Sequence, residues 1–279
     1  MKTPDSPQLH WGSSYRIAAS EKWKAKSAAM GREVTAAVVD YARPRPGMKV
    51  LDLASGTGEP AISLAAAVGP SGHVTALDLS TDLLETAAGR ARQRGLRNFS
   101  TQKADAHELP FPDQSFDLIT SRFGVMFFHN PVKALSEAHR VLKPEARACF
   151  LAWGPFEQPF WSSMWGVVHK FAGGSPTPPE QNPCKFASPG SLSKVLHDAG
   201  FARIEEETKN LSWTWPGKAE EVWELTSEVS TPFLPMLQRI AANRRAEVDR
   251  EVIRAVQQYA DGESIKFGAV VVFASGVKG

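Results

Sequence analysis

Val50-Leu51-Asp52-Leu53-Ala54-Ser55-Gly56-Thr57-Gly58-Glu59-Pro60-Ala61 is an apolar strand that runs into an acidic residue, then a turn of small residues, then the start of a helix. Such a turn brings backbone close to a bound nucleotide-like molecule. Gly56 and Gly58 put no side chain in the way, and a helix start offers free N–H groups. Twenty residues past Gly58 a second strand, His73-Val74-Thr75-Ala76-Leu77, ends in Asp78. An acidic residue there accepts hydrogen bonds from both hydroxyls of a ribose.

Outward from this stretch, strands and helices alternate. Strand Lys49–Leu53 leads to helix Pro60–Val68, and strand His73–Leu77 to a helix from Ser80, a fitting N-cap, to Arg94 before Gly95. Strands Phe99–Lys103 and Phe116–Thr120, helix Pro131–Leu142 and strand Ala148–Trp153 complete the series. Repeated βα units of this length predict an α/β fold with a parallel sheet and helices on both faces. Right-handed crossovers bring Asp52 and Asp78 to the same carboxyl edge. One helix is predicted over Ser20–Tyr41, a further helix over 191–200, a strand over Arg203–Trp215, helical structure over 217–260 and a final strand at Gly268–Ala274, antiparallel to Arg203–Trp215.

The glycine turn alone admits two ligands. Gly56-Thr57-Gly58-Glu59-Pro60-Ala61 also fits a dinucleotide fingerprint with Ala as its last small residue. Asp52 inside the strand and Glu59 after Gly58 bring negative charge where NAD would bring a pyrophosphate. S-adenosylmethionine has an adenosine and no phosphate, and a nearby carboxylate suits its ammonium. A glycine-rich turn without a ligand is the plainer alternative.

Composition sets the outer limits. With 279 residues, 42% hydrophobic and 22% charged, the chain has an ordinary globular make-up and can bury a large core. A net charge of +2 gives no reason to expect a polyanionic partner, and no Lys/Arg cluster alternates with aromatics as a nucleic-acid groove requires. Arg90, Arg92 and Arg94 read as the solvated face of a helix. Two cysteines make no disulfide framework, the seven histidines show no metal-ligand spacing, and Cys149 reads as a buried thiol. No segment resembles a signal peptide and no apolar run reaches membrane-spanning length, so the expectation is a reducing cytoplasm and no stable membrane insertion.

With these residues in place, the chain resembles the class I S-adenosylmethionine-dependent methyltransferases, and more narrowly their UbiE-like (type 11) group. The resemblance is specific over Val50–Trp153 and weaker over Ser188–Phe201 and the last strand. Leu51–Gly58 matches the first motif, with Ala54 in place of the usual first Gly. Val74–Ser80 matches the second, Ala104–Phe111 the third, Ser115–Thr120 the fourth-strand motif and Arg140–Pro144 the helix-end motif, after which Glu145-Ala146 replaces the usual Gly-Gly and requires a local change in the turn. The resemblance implies a Rossmann-like, seven-stranded, mostly parallel sheet with an antiparallel last strand and a helical cap. It implies S-adenosyl-L-methionine as cofactor, S-adenosyl-L-homocysteine as product, a small-molecule methyl acceptor and no metal. The implied cofactor residues are Asp52, Ala54, Ser55, Gly56, Thr57, Gly58, Asp78, Leu79, Asp105, Ala106 and Ser121, with Asp105 on the adenine amino group. Quinone-biosynthesis members carry Phe-Gly-x-Arg-Asn after the fourth strand. Here Met126 stands where that Arg would be, which counts against quinone methylation.

The organisation expected is an N-terminal arm and helix over 1–46, a cofactor-binding core over 47–155, an aromatic insert over 156–187, core helix and strand over 188–216, a helical cap over 217–265 and the last strand over 266–279. Methyl transfer needs the acceptor held in line and, for some acceptors, a general base. His129, Arg122, His10 and Tyr15 are the candidates, although His129 equally suits a turn before Pro131 and the N-terminal pair a solvent-facing arm. Phe123, Phe127, Trp153, Phe160, Trp161 and Trp165 read either as the wall of an apolar acceptor pocket or as packing between insert and sheet. The arm, insert and cap read as a lid that excludes water, against a covered flank or a dimer contact; a homo-oligomer fits either. The rival functions are an NAD-dependent oxidoreductase on the same sheet type and a cofactor-binding protein without catalysis.

Overall fold

A computed structural model describes residues 21–173, 182–229 and 233–279. The elements run α1 (Lys24–Met30), α2 (Arg32–Ala42), β1 (Lys49–Leu53), α3 (Ala61–Val68), β2 (His73–Asp78), α4 (Thr81–Gln93), β3 (Phe99–Lys103), β4 (Phe116–Arg122), α5 (Pro131–Val141), β5 (Leu142–Trp153), α6 (Pro159–Ala172), α7 (Ser191–Asp198), β6 (Ala202–Trp215), α8 (Ala219–Val229), α9 (Phe233–Gln238), α10 (Arg245–Gln257), β7 (Ala260–Asp261) and β8 (Ser264–Val277). The sheet order is β3-β2-β1-β4-β5-β8-β6, with the two-residue β7 added against β8. Strands β3 to β5 are parallel, and β8 is antiparallel to both its neighbours.

Alternation along β1 makes the sheet two-faced. Val50 packs with Ala61, Leu64 and Val68 of α3 and with Leu84 of α4. Leu51 and Leu53 pack on the other side with Leu135 and Ala138 of α5. Both faces are therefore covered, as a parallel sheet requires. Register Leu53↔Leu77 ends β1 and β2 side by side, so Asp52 and Asp78 do meet at the carboxyl edge. Ser80 caps α4, its Oγ accepting from the Leu83 N–H at 3.3 Å.

Five expectations are refined. The single helix over 20–41 breaks at Gly31, so that α1 docks Trp23 edge-on against Trp215, with ring centroids 5.7 Å apart. The helical stretch 217–260 is three helices, α8 to α10. Strand β5 begins at Leu142, and β8 pairs over seven residues with β5 and over twelve with β6. The turn after Pro144 keeps a glycine-like backbone: Glu145 itself adopts φ 61°, its N–H donates to the Lys278 carbonyl at 2.8 Å, and its carboxylate pairs with Arg203. The arginines of α4 are not merely solvated. Arg90 donates to the Thr57 carbonyl (3.2 Å) and to Glu21 (2.7 Å), and Arg94 to Glu59 (2.9 Å), because α4 lies against the back of the glycine turn. Cys149 is buried in β5, where loss of water pushes its thiol up to about 12. Among the described residues no helix is long and apolar enough to cross a membrane.

Candidate functional site

Strand ends and the glycine turn converge on a cavity of about 260 Å³ at the carboxyl edge. Ala54, Gly56, Asp78, Leu79, Asp105, Ala106, Phe123 and Phe127 line it, together with His107, Gly124, Phe128 and His129. Gly56 has φ 53°, and a Cβ placed on it would meet nothing within 4 Å. The turn thus presents bare backbone to open space, which suits close approach by a ligand. Leu79 is a large apolar side chain left 57% exposed at this cavity, a surface on which a nucleobase could lie.

Asp78 ties the turn to β2. Its Oδ2 accepts from the Gly56 N–H at 2.9 Å and its Oδ1 from the Ser80 N–H at 3.0 Å. Burial raises its pKa above the ordinary carboxylate value despite these bonds. Each oxygen keeps a further lone pair for a hydroxyl partner. Asp105 is more exposed. Burial pushes its carboxyl up, but hydrogen bonds from the His107 N–H and ring outweigh it and hold it below the usual value.

His107 is a residue that sequence reasoning quoted without giving it a role. Its Nε2 accepts from the Asn130 N–H at 3.3 Å, so its Nδ1 carries the proton and donates to Asp105. The exposed ring of His129 stacks on it with centroids 3.7 Å apart. His129 therefore stands near Asp105 and lines the same cavity. Lys185, from the far end of the aromatic insert, donates to the Phe128 carbonyl at 2.9 Å, and burial pulls its pKa down to about 8.

Asp52 lies under the turn and is fully buried. Its Oδ1 accepts from Thr120 Oγ1 at 2.6 Å, and its Oδ2 has no partner. Burial pushes its carboxyl up to about 7, more than the Thr120 and Ser55 hydroxyls and the Arg122 cation pull it down. Thr120 was missed at the level of sequence, although a hydroxyl at the end of the run Leu118-Ile119-Thr120 was its signal. Ser55 and Ser121 are committed to the framework. Ser55 Oγ donates to the Asp52 carbonyl (2.7 Å) and accepts from the Leu77 N–H (3.1 Å), and Ser121 Oγ donates to the Leu53 carbonyl (2.8 Å). Glu59 turns away from the cavity. Its carboxylate accepts from the N–H and Oγ of Ser63 and pairs with Arg94, so its charge does not face the space beside Asp78.

Ala54 adopts φ 54°, the left-handed region that the more usual glycine occupies without cost. Its Cβ explains Gly124. A Cβ on Gly124 would sit 2.6 Å from Ala54 Cβ and 2.6 Å from Ser121 Oγ. Gly124→Ala is expected to destabilise by about 1–3 kcal/mol through overpacking. Ala54→Gly removes one of the two collisions and recovers part of that loss. Urea unfolding of the four proteins measures the coupling; an equal loss in both backgrounds would contradict it.

Arg122 does not line this cavity. It borders a second one of about 470 Å³, behind the turn, between α1, α2, α3 and α4. Thr57 borders that cavity too, while Gly58 packs tightly, an added Cβ there falling 2.6 Å from Ile62 Cδ1. Trp153, Phe160, Trp161 and Trp165 are buried and packed on one another: Phe160 stacks on Trp153 at 5.6 Å, and Trp161 meets it edge-on at 5.4 Å. Phe123 joins the two regions, stacking on Trp153 at 4.3 Å while lining the cavity. Cap helices α9 and α10 pack on α6, α8 packs on both of them, and none of the three lines either cavity. His10, Tyr15, the rest of the arm before residue 21 and residues 174–181 of the insert lie outside the described residues. Met126 is buried in the core.

Residues 44–154 match a family profile described as a methyltransferase domain. Over 136 residues the chain is 43% identical to the ubiquinone/menaquinone biosynthesis C-methyltransferase UbiE of Brucella abortus, covering 48% of this chain and 51% of that protein. The chain thus spans about half the length of such relatives. It is 26% identical over 269 residues to nocamycin O-methyltransferase of Saccharothrix syringae, covering 88% of this chain and 90% of that one. The YcgJ protein of Bacillus subtilis has a similar fold, with a TM-score of 0.57 at 20% identity, covering 88% of this chain and 97% of that one.

Proposed function

We propose, from the premise that residues 44–154 are a methyltransferase domain, that the protein is an S-adenosylmethionine-dependent methyltransferase acting on a small, mostly apolar molecule. The observation that carries this reading is the acid pattern around one cavity. Asp78, Leu79 and Asp105 line it together, and Asp52 is buried under the same turn with Oδ2 unpartnered. That set fits an adenosine bearing a cation. It fits a pyrophosphate poorly, since Asp52 would bring negative charge toward it.

In this reading Asp78 accepts from the ribose hydroxyls, Asp105 faces the adenine amino group and the Gly56 backbone lets the ligand approach. Asp52 takes the ammonium. When bound, S-adenosylmethionine supplies an electrophilic methyl group on a sulfonium. The chain's own task is then to hold the acceptor in line and keep water out. Phe123, Phe127 and Gly124 are the acceptor wall in this reading. His129, stacked beside Asp105, belongs to the nucleoside side, which leaves it further from the acceptor than a general base needs to be. The UbiE relatives favour a quinone-like or aromatic ring, but Met126 supplies no cation there. The long match to an O-methyltransferase favours an oxygen acceptor.

Calorimetry with S-adenosylhomocysteine and NAD, followed by turnover of labelled methyl groups over a panel of phenols, enols and quinols, tests the reading. Binding of S-adenosylhomocysteine alone, with transfer to one acceptor class, is expected. NAD binding instead would overturn it, and cofactor binding with no transfer would favour a non-catalytic role. Lys26 of α1 and Lys22 just ahead of it pair with Glu221 and Glu224 of cap helix α8, which supports closure by arm and cap together. Hydrogen exchange in the same complex should then gain protection over 24–36 and 219–229. Protection restricted to the loops at 54–59, 78 and 105 would sink the lid.

A further inference from the structure

We propose that Arg122 receives the carboxylate of the ligand's amino-acid tail, opposite Asp52, so that neighbouring strands β1 and β4 recognise a zwitterion. This rests on the reading above that the ligand is S-adenosylmethionine. Asp52 pairs in register with Thr120, and Arg122 follows two residues on, so all three side chains leave the same face of the sheet. Arg122 Nη1 donates to Thr35 Oγ1 at 2.7 Å. Its Nε is buried and has no partner, and Asp52 Oδ2 is buried and has none either.

These are complementary vacancies: one unspent donor on a cation and one unspent acceptor on an acid. Among the described residues no ion pair joins the two, although Arg122 feels the charges of Glu59 and Asp52 at longer range. A buried charge left in this state is costly, and a ligand that brings both opposite charges relieves both at once. An α-ammonium beside an α-carboxylate is such a ligand. A simple anion would answer Arg122 and leave Asp52 worse off.

Arg122 shares the larger cavity with Lys24, Arg32, Arg90 and Arg94, and is the one of these on the strand beside Asp52. Arg94 is held by Glu59, and Arg90 by Glu21 and the Thr57 carbonyl. The guanidinium lies against Gly31, at the break between α1 and α2, where a Cβ would come within 3.4 Å of Nη1. The chain also divides the two cavities at the right point. Ala54 and Gly56 face the smaller and Thr57 and Glu59 the larger, and Phe123 and Arg122 divide in the same way. A nucleoside in the smaller cavity has its tail at that divide.

Three probes test the assignment by calorimetry: S-adenosylhomocysteine, its decarboxylated analogue, and 5′-methylthioadenosine, which lacks the whole tail. Wild-type protein should prefer S-adenosylhomocysteine over the decarboxylated analogue by roughly tenfold or more, the scale of a charge-assisted bond. Arg122→Met should abolish that preference and leave 5′-methylthioadenosine binding within about twofold, and Arg122→Lys should recover part of it. Equal losses for all three probes, or none for any, would overturn the assignment. Wild-type protein with 15N-labelled arginine covers the case in which Arg122→Met does not fold. The Arg122 Nε–H resonance should move on adding S-adenosylhomocysteine and stay in place with 5′-methylthioadenosine. A resonance unmoved by S-adenosylhomocysteine removes Arg122 from the site. If wild-type protein binds none of the probes, the cofactor reading itself fails. If it binds the first two equally, only the role of Arg122 does.

Discussion

Asp78→Ala lowers the affinity for S-adenosylhomocysteine by roughly 100-fold, the largest loss expected from any single side chain of the site. Two ribose hydroxyls lose a charged acceptor, and each such bond contributes on the order of 1.5–3 kcal/mol. The turn loses its anchor as well, because the Gly56 and Ser80 N–H groups both donate to this carboxylate. The loss should therefore be as large for 5′-methylthioadenosine, which keeps the ribose, and small for adenine alone. Asp78→Asn, which keeps one acceptor oxygen, should fall between. Calorimetry on the three ligands decides, and a change under threefold for all of them would remove Asp78 from the ribose.

Asp52→Asn produces the second large effect, and pH is the variable that exposes it. With its carboxyl pushed up to about 7 by burial, Asp52 is ionised in only about a tenth of ligand-free molecules at pH 6. A ligand ammonium needs the ionised form. Wild-type affinity for S-adenosylhomocysteine should thus rise roughly tenfold between pH 6 and pH 8, while Asp52→Asn binds weakly with a flat profile. The stability of the ligand-free protein moves the other way. Between about pH 4 and 7 the unfolded chain has released this proton and the folded protein still holds it, so unfolding releases a proton and wild-type stability falls as pH rises. Below that window both states are protonated, and above it the loss is complete. Asp52→Asn lacks this decline, so its unfolding midpoint should gain on wild type from pH 4 to 7. Parallel pH profiles for the two proteins would show that Asp52 does not carry the charge.

The parallel half of the fold was legible because each βα unit spells itself out. Apolar runs of strand length end at Asp52 and Asp78, and Ser80 caps the helix that follows. What was illegible came from tertiary contact. Nothing local distinguishes Gly31 from a tolerated helix glycine. Its neighbours are the guanidinium of Arg122 and the ring of Trp213, both distant in sequence. Arg90 and Arg94 read as solvated because the carbonyl and carboxylate they meet belong to the glycine turn. The acids of the cavity were visible as motif residues, yet the support for Asp105 from His107 depends on Asn130, 23 residues beyond that histidine, folding back to donate to its ring. The aromatic run after Trp153 shows the limit of composition. Rings dense enough to wall a pocket are equally able to fill one, and Trp153, Phe160 and Trp161 fill it with each other.

The place of β8 between β5 and β6 has a consequence for the order of assembly. As the chain leaves the ribosome, β1 to β5 can pair in turn, each new strand meeting a neighbour already made. Strand β6 cannot. Its one sheet neighbour is β8, so it is synthesised ahead of the whole cap and then waits with both edges open. An unpaired strand of fourteen residues invites pairing with other chains. The first half of β6 reads Ala202-Arg203-Ile204-Glu205-Glu206-Glu207-Thr208-Lys209, and charge of that density is a known deterrent to such pairing. The strand that must wait longest for its partner is also the one dressed to stay in solution meanwhile.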